Sequence, residues 1–240
     1  MADTLPYFYY KEVKSLDENL YIQKKNTYAG AQRDVSFISV PGRDGDLIVD
    51  NKRFKNVDIF YKVAVLEGIY DVPEIAHRVK SWLCSEPGYF ELIDSYNPDY
   101  YRLAAYADTF NLEQELKCWG TSTIKFNCKP YRYRLDGKQP IELSAASTIQ
   151  NPEAFASKPY IKINGSGNIS LSINGELYAF RDVDGYIEVD SETMNAYKGT
   201  TSQNSKMYTS TFPELKKGAN SILWIGTVSS VEIIPRWRCL

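Results

Sequence analysis

Thr123-Ile124-Lys125-Phe126-Asn127-Cys128 alternates polar and apolar side chains, so Ile124, Phe126 and Cys128 share one face and Thr123, Lys125 and Asn127 the other. That period of two is the mark of a half-buried strand. Working outward, Val35-Ser36-Phe37-Ile38-Ser39-Val40 and Ile59-Phe60-Tyr61-Lys62-Val63-Ala64-Val65-Leu66 also read as strands, separated by turn-rich sequence around Pro41-Gly42-Arg43-Asp44-Gly45. One segment breaks the pattern. Asp71 resembles a helix N-cap with Glu74 at the third helical position, and Ile75, Val79, Trp82 and Leu83 follow at helical spacing until Pro87-Gly88. The spacing predicts one helix over residues 72–85 in an otherwise β chain.

The second half repeats the β grammar. Ile169-Ser170-Leu171-Ser172-Ile173 and Leu177-Tyr178-Ala179-Phe180 flank the hairpin signal Asn174-Gly175, and Asp184-Gly185 precedes Tyr186-Ile187-Glu188-Val189. The chain closes with Ser221-Ile222-Leu223-Trp224-Ile225 and Val228 to Ile234, separated by Gly226. Together these segments predict a β-sandwich. Residues 191–212 carry few apolar anchors and read as a long surface connection. Asp136-Gly137 and Pro140 interrupt the strand grammar after Pro130-Tyr131-Arg132-Tyr133-Arg134. A boundary there gives two domains, 1–133 and 134–240, each of ordinary domain size.

Composition agrees with a mainly β globular protein. Of 240 residues, 43% are hydrophobic and 24% charged, and the 19 Tyr and 10 Phe favour pleated surfaces. A net charge of −2 offers no positive field for a phosphate backbone. The start, Met1 to Tyr7, lacks the basic and apolar regions of a signal peptide, and no stretch approaches the length of a membrane span. The expectation is a protein made in the cytosol, without membrane insertion. Cys84, Cys118, Cys128 and Cys239 form no CxxC pair and are expected as small buried hydrophobes.

Candidate chemistry is thin. His77 is the single histidine, and it falls off the apolar helix face, so a histidine-based triad or multi-histidine metal site lacks its parts. Asp182, Asp184, Glu188, Asp190 and Glu192 crowd one region, but Glu188 and Asp190 alternate with Ile187 and Val189 as a solvent face would. Asp182-x-Asp184-Gly185 departs from a calcium loop in the position of its glycine and lacks the closing Glu. Gly42 to Gly45 lacks phosphate-loop spacing and reads as a tight turn. Trp119, Trp224 and Trp237 read as core, with a sugar-stacking role as the rival. No catalytic, cofactor-binding or metal-binding residue is assigned, and the chain is expected not to be an enzyme.

Over almost its whole length the chain resembles the siphophage distal tail proteins (the Dit family). The resemblance rests on Pro41-Gly42-Arg43-Asp44-Gly45-Asp46-Leu47, the helix ending in Trp82-Leu83, Asn97-Pro98-Asp99-Tyr100-Tyr101-Arg102-Leu103-Ala104, and Phe126-Asn127-Cys128-Lys129-Pro130-Tyr131-Arg132, in that order. In the second half it rests on Lys158-Pro159-Tyr160-Ile161-Lys162-Ile163, Gly165-Ser166-Gly167, Ile187 to Glu192, Phe212 to Asn220 and Ile234-Pro235-Arg236. The resemblance implies an N-terminal β-barrel-like domain related to tail-tube subunits, with one packed helix, and a C-terminal galectin-like β-sandwich. It further implies a structural virion protein of a phage or prophage tail, assembled in the host cytoplasm and located at the tail tip. Its partners would be five copies of itself in a hexameric ring, the tail tube protein, the tail-tip or tail-associated protein, and receptor-binding or baseplate proteins. DNA would pass through the centre without specific binding. Part of residues 41–66 is expected to serve subunit interfaces through exposed strand edges. The alternative is a carbohydrate-binding or adhesion module.

Overall fold

The computed structural model describes residues 5–66, 71–116 and 119–240. The chain divides into two compact units, Met1–Arg132 with Leu240, and Tyr133–Cys239. Both are mainly β.

The first unit contains β1 (Phe8–Tyr10), β2 (Val13–Lys14), β3 (Leu20–Lys25), β4 (Arg33–Ile38), β5 (Leu47–Phe54) and β6 (Val57–Leu66), then α1 (Val72–Cys84). It continues with β7 (Phe90–Asp94), β8 (Tyr100–Ala105), β9 (Leu112–Leu116) and β10 (Trp119–Arg134), whose last two residues belong to the second unit. The main sheet runs β2-β1-β7-β8-β10-β6-β3, and β9 also pairs with β10. At its centre β10 lies antiparallel to β6, from Trp119 opposite Leu66 to Cys128 opposite Val57. This register puts Ile124, Phe126 and Cys128 on the same face as Val57, Ile59 and Tyr61, and all six are buried. Phe8 stacks on Tyr61 at 4.6 Å between ring centroids, and Tyr10 meets Phe126 at 4.7 Å. Such aromatic pairs add to the burial of the apolar area itself.

The helix forms where its caps and stripe place it. The Asp71 carboxylate accepts the Glu74 N–H at 2.9 Å, satisfying one of the donors a helix start leaves unpaired. Val72, Ile75, Val79 and Leu83 are buried, each burial contributing about 1.5–3 kcal/mol. Trp82 fixes the helix to the sheet by donating its indole N–H to the Tyr10 carbonyl at 2.9 Å. The helix ends at Cys84, one residue short of the predicted end. Pro87-Gly88 is the stop that the sequence shows, and the structure adds a cation at the same end. Lys11, in the β1–β2 turn, donates to the Leu83 and Glu86 carbonyls at 3.4 and 3.0 Å, and its ammonium lies 4.6 Å from the centre of the Phe90 ring. A cation at a helix C-terminus is stabilising. Lys11 and Glu12 both have left-handed backbones, φ 49° and 64°, so a tight turn without glycine delivers this cation.

The second unit contains β11 (Ile141–Leu143), β12 (Ser147–Asn151), β13 (Tyr160–Ile173), β14 (Glu176–Val183), β15 (Tyr186–Asp190), β16 (Asn195–Lys198), β17 (Thr201–Ser202) and β18 (Gly218–Ile234). β13 and β18 are long because each works in two places. The start of β13 pairs with β15 and its end with β14, while β18 pairs first with β12 and later with β11. Two strand groups therefore share β13 and β18 around one core that includes Ile161, Ile163, Leu171, Ile173, Phe180 and Ile233. The changeover is marked by register shifts between Asn164 and Gly165 and between Ser166 and Ser170. Glycine is required there. A Cβ on Gly165 would sit 2.3 Å from the Thr227 carbonyl oxygen, and one on Gly226 would sit 2.5 Å from that of Asn168, where φ is also 120°. Asn174 and Gly175 form the predicted turn, both with positive φ.

Two expectations need correction. Residues 191–212 are not a bare connection: β16 and β17 lie there, Val189 pairs with Ala196, and Tyr208 donates its N–H to the Ala179 carbonyl. The segment is held by backbone bonds and by polar side chains, such as Asn204 accepting the Ala196 N–H at 2.6 Å, which leave no apolar periodicity to read. Of the described cysteines, only Cys128 is buried; Cys84 is exposed and Cys239 half-buried, while Cys118 lies outside the described residues. Burial pushes the Cys128 thiol up to about 12.

Gly226→Ala is expected to destabilise the protein by about 1–3 kcal/mol in urea unfolding, because the strained backbone and the Asn168 carbonyl leave no room for a methyl. Asp71→Ala should cost about 1 kcal/mol by the same measurement through loss of the cap.

Candidate interaction surface

β4 and β5 form a sheet of their own, a two-stranded ribbon that belongs to no other sheet of the first unit. Their register sets Phe37 opposite Ile48 and Ile38 opposite Leu47, with Val35 opposite Asp50 and Ser36 opposite Val49. Directly paired residues share a face and alternate residues change face. One face therefore carries Phe37 and Ile48, and the other Ile38, Leu47 and Val49. All five are exposed, Phe37 by 63% and Ile48 by 60%. No charge interrupts this band between Val35 and Ile38 or between Leu47 and Val49. Contiguous exposed apolar surface of this kind is a candidate interaction site.

Charges are confined to the ribbon's ends. Near the base the Arg33 guanidinium grips Asp50 through two hydrogen bonds, at 3.2 and 2.5 Å, and Arg53 binds Asp34 at 2.7 Å with Lys55 nearby at 3.7 Å. Hydrogen bonds from Arg33 and from the Lys52 N–H hold the Asp50 carboxyl below its ordinary value, and Arg53 does the same for Asp34. At the tip, Gly42 and Gly45 take φ of 76° and 80°, so the segment read as a turn from Pro41 to Gly45 is the bend that reverses the ribbon. The strand pattern identifies β4 and that bend, but the turn-rich reading extends beyond Gly45 and misses β5. The signal is present in Leu47-Ile48-Val49, where Asp50-Asn51-Lys52 obscures it.

The residues weighed for chemistry do not converge. His77 is exposed on α1. Asp182 is exposed, and Asp184, also exposed, meets the Lys198 ammonium at 3.3 Å. Glu188 accepts the Tyr160 hydroxyl at 2.6 Å and the Gly199 N–H at 2.7 Å. Burial, and then Glu188, raises the Tyr160 phenol. Asp190 departs from the solvent-face expectation, being only 7% exposed. It is met there by Arg236, whose left-handed backbone aims two N–H groups at the carboxylate at 2.7 and 3.0 Å. Burial pushes Asp190 up, but the Arg236 bonds and the Thr193 and Glu192 N–H groups outweigh it and leave the carboxyl below its ordinary value. Glu192 lies 4.0 Å from Arg238. Trp237 is buried in the core of the second unit and Trp224, half-buried, packs against that core, whereas Trp119 is only half-buried. Among the described residues, no group of three or more His, Cys, Asp or Glu side chains could hold a metal ion, and no helix is long and apolar enough to cross a membrane.

Comparison with known proteins places this geometry. Residues 14–128, which contain the ribbon, match the family model of the phage tail protein RIFT-related domain. No curated protein matches the chain. Among solved structures, the Dit protein (gp 19.1) of phage SPP1, described as a paradigm of the hub adsorption apparatus in phages infecting Gram-positive bacteria, superposes with a TM-score of 0.75 at 12% identity. That match covers 99% of this chain and 100% of the other. A chain of the phage p2 baseplate in its activated conformation superposes with a TM-score of 0.52, also at 12% identity, over 96% of this chain and 97% of that one. At such identity the likeness is one of fold.

The Asp190–Arg236 pair sets a pH dependence. Because the folded carboxyl is held below the ordinary aspartate value of 3.8, the pair's stabilisation is present above that pH and is lost as pH falls through the lowered folded value. An acid series of thermal unfolding should show this loss below about pH 4, and Asp190→Asn should be less stable at neutral pH and flatter across that window.

Proposed function

We propose that this chain, which carries a phage tail protein RIFT-related domain over residues 14–128 and has the fold of a siphophage distal tail (Dit) protein, is a structural hub subunit of a phage or prophage tail. The observation that carries the reading is the β4–β5 ribbon, an uncharged apolar band that its own domain leaves in water. A folded monomer gains nothing from such an arm. A neighbouring copy that covers it removes its apolar side chains from water and can satisfy its two open backbone edges.

In this reading the N-terminal domain, residues 1–133, builds a closed hexameric ring through head-to-tail contacts, in which one surface of each copy receives a different surface of the next. The C-terminal domain, residues 134–240, is a galectin-like sandwich, a reading supported by the two strand groups that share β13 and β18. The ring joins the tail tube to the tail-tip protein, is assembled in the host cytoplasm and becomes part of the virion at the tail tip. DNA passes through its centre without specific binding. The net charge of −2 favours this, since a strongly basic chain would retain a polyanion.

Native mass spectrometry with negative-stain imaging of the purified chain tests the reading. A ring of six copies is expected, and replacing Phe37, Ile38, Leu47, Ile48 and Val49 together by Thr should give folded monomers. A wild-type chain that stays monomeric even with its tail partners, or a substituted chain that still forms rings, contradicts it.

A further inference from the structure

The second unit holds a recess that the hub role leaves unused. β15, β16 and β17 follow one another as a meander, and its register sets Asp190 opposite Asn195 and Tyr197 opposite Glu188 on one side and Ser202 on the other. Paired residues share a face, so Asp190, Asn195, Tyr197 and Ser202 fall on one face of the meander. Its two turns bring Thr193 and Thr200 beside them, with Met194 and Gly199 reversing the chain at φ of 53° and 59°. Asp190 fixes the first turn by accepting the Glu192 and Thr193 N–H groups at 2.9 and 3.3 Å, and the Asn195 amide donates to the Thr193 carbonyl at 3.1 Å. Glu188 fixes the second by accepting the Gly199 N–H at 2.7 Å. Together these elements line an open recess of about 390 Å³, within the range of roughly 300–1,000 Å³ found for small-molecule sites.

The lining is hydroxylic and contains no cation. Its one carboxylate, Asp190, is already held by the Arg236 guanidinium at 2.7 and 3.0 Å. The hydroxyls of Thr193, Tyr197, Thr200 and Ser202 make no hydrogen bond among the described residues. Burial, and then Asp190 and Glu188, push the Tyr197 phenol up, so it stays protonated as both donor and acceptor. Half-buried, Tyr197 also offers an apolar ring beside its polar tip. The recesses on the sheet of the first unit differ, being lined by Lys62, Lys125, Asp58, Asp108 and Glu113, charges of both signs. An anionic ligand in the meander recess would lose water without gaining a counter-charge, whereas a neutral ligand rich in hydroxyls can both give and accept hydrogen bonds there.

We infer that this recess binds one neutral saccharide unit, with Thr193, Tyr197, Thr200 and Ser202 as its hydrogen-bonding groups. None of Trp119, Trp224 and Trp237, the tryptophans weighed for sugar stacking, lines it. The inference goes beyond the hub reading and does not depend on ring formation. A free sugar and one unit of a polysaccharide present the same hydroxyls, and the experiment separates them.

Saturation-transfer NMR on the full chain tests the inference, with glucose, galactose, mannose, rhamnose and N-acetylglucosamine as probes. At least one should receive saturation, and glucuronate, the carboxylate counterpart of glucose, should bind no better than glucose. Y197F/T200V removes two hydroxyls and little volume, and should weaken the binding about tenfold while circular dichroism and thermal unfolding verify the fold. T200V alone, in an exposed turn, should shift affinity in the same direction if the double variant loses its fold. T148V, which removes an exposed hydroxyl on β12, should bind as the wild type does. A trisaccharide of the bound sugar identifies the source: tighter binding than the single sugar marks a unit of a polymer and equal binding a free sugar, and either supports the inference. Absence of saturation in all five sugars, tighter binding of glucuronate than of glucose, or undiminished affinity in Y197F/T200V would overturn it.

Discussion

Successive side chains of a strand point to opposite faces, and in this protein the use of a strand depends on whether one face or both are apolar. β10 has one apolar face, and that face, with its partners on β6, makes the core of the first unit. β4 and β5 have two apolar faces and no sheet to enter. The same periodicity that gives the domain a dry interior on β10 gives it an arm with nothing to cover it on β4 and β5. Core and exposed apolar surface are thus divided between strands of one domain. Near the base of the ribbon, charges pair across its two strands, Arg33 with Asp50 and Arg53 with Asp34.

Much of the fold was legible because it rests on local rules. The alternation around Phe126, the cap at Asp71 and the Asn174-Gly175 turn each state their structure within a few residues. What escaped was held by bonds between distant residues. Lys11 closes α1 from a turn more than seventy positions away, and Arg236 reaches Asp190 across the second unit and draws it out of solvent. Neither partnership has a sequence signature, since lysine in a turn and aspartate on a strand both read as ordinary surface. The segment after Asp190 hides its strands for a related reason, because they are ordered by backbone pairing and asparagine side chains.

The candidate surface is half legible in the sequence. Its bend, Pro41 to Gly45, belongs to the run on which the resemblance to distal tail proteins rests, and β4 was read as a strand. A single strand with apolar residues on consecutive positions reads as buried. Pairing with β5 reverses that meaning: the two strands satisfy each other's inner edges and carry Phe37, Ile38, Leu47 and Ile48 into water together. The weighed carboxylates, by contrast, are exposed or engaged in structural bonds, so the surface chemistry that stands out in this chain is apolar contact.

Hydrogen exchange at residues 33–54, compared between the dilute monomer and the assembled protein, bears most directly on the role of the ribbon. Assembly should slow exchange of the β4 and β5 outward-facing amides strongly, with little change at the already protected amides of β6 and β10. An assembled particle whose ribbon amides exchange as fast as in the dilute chain would contradict the assignment of this arm to the interface.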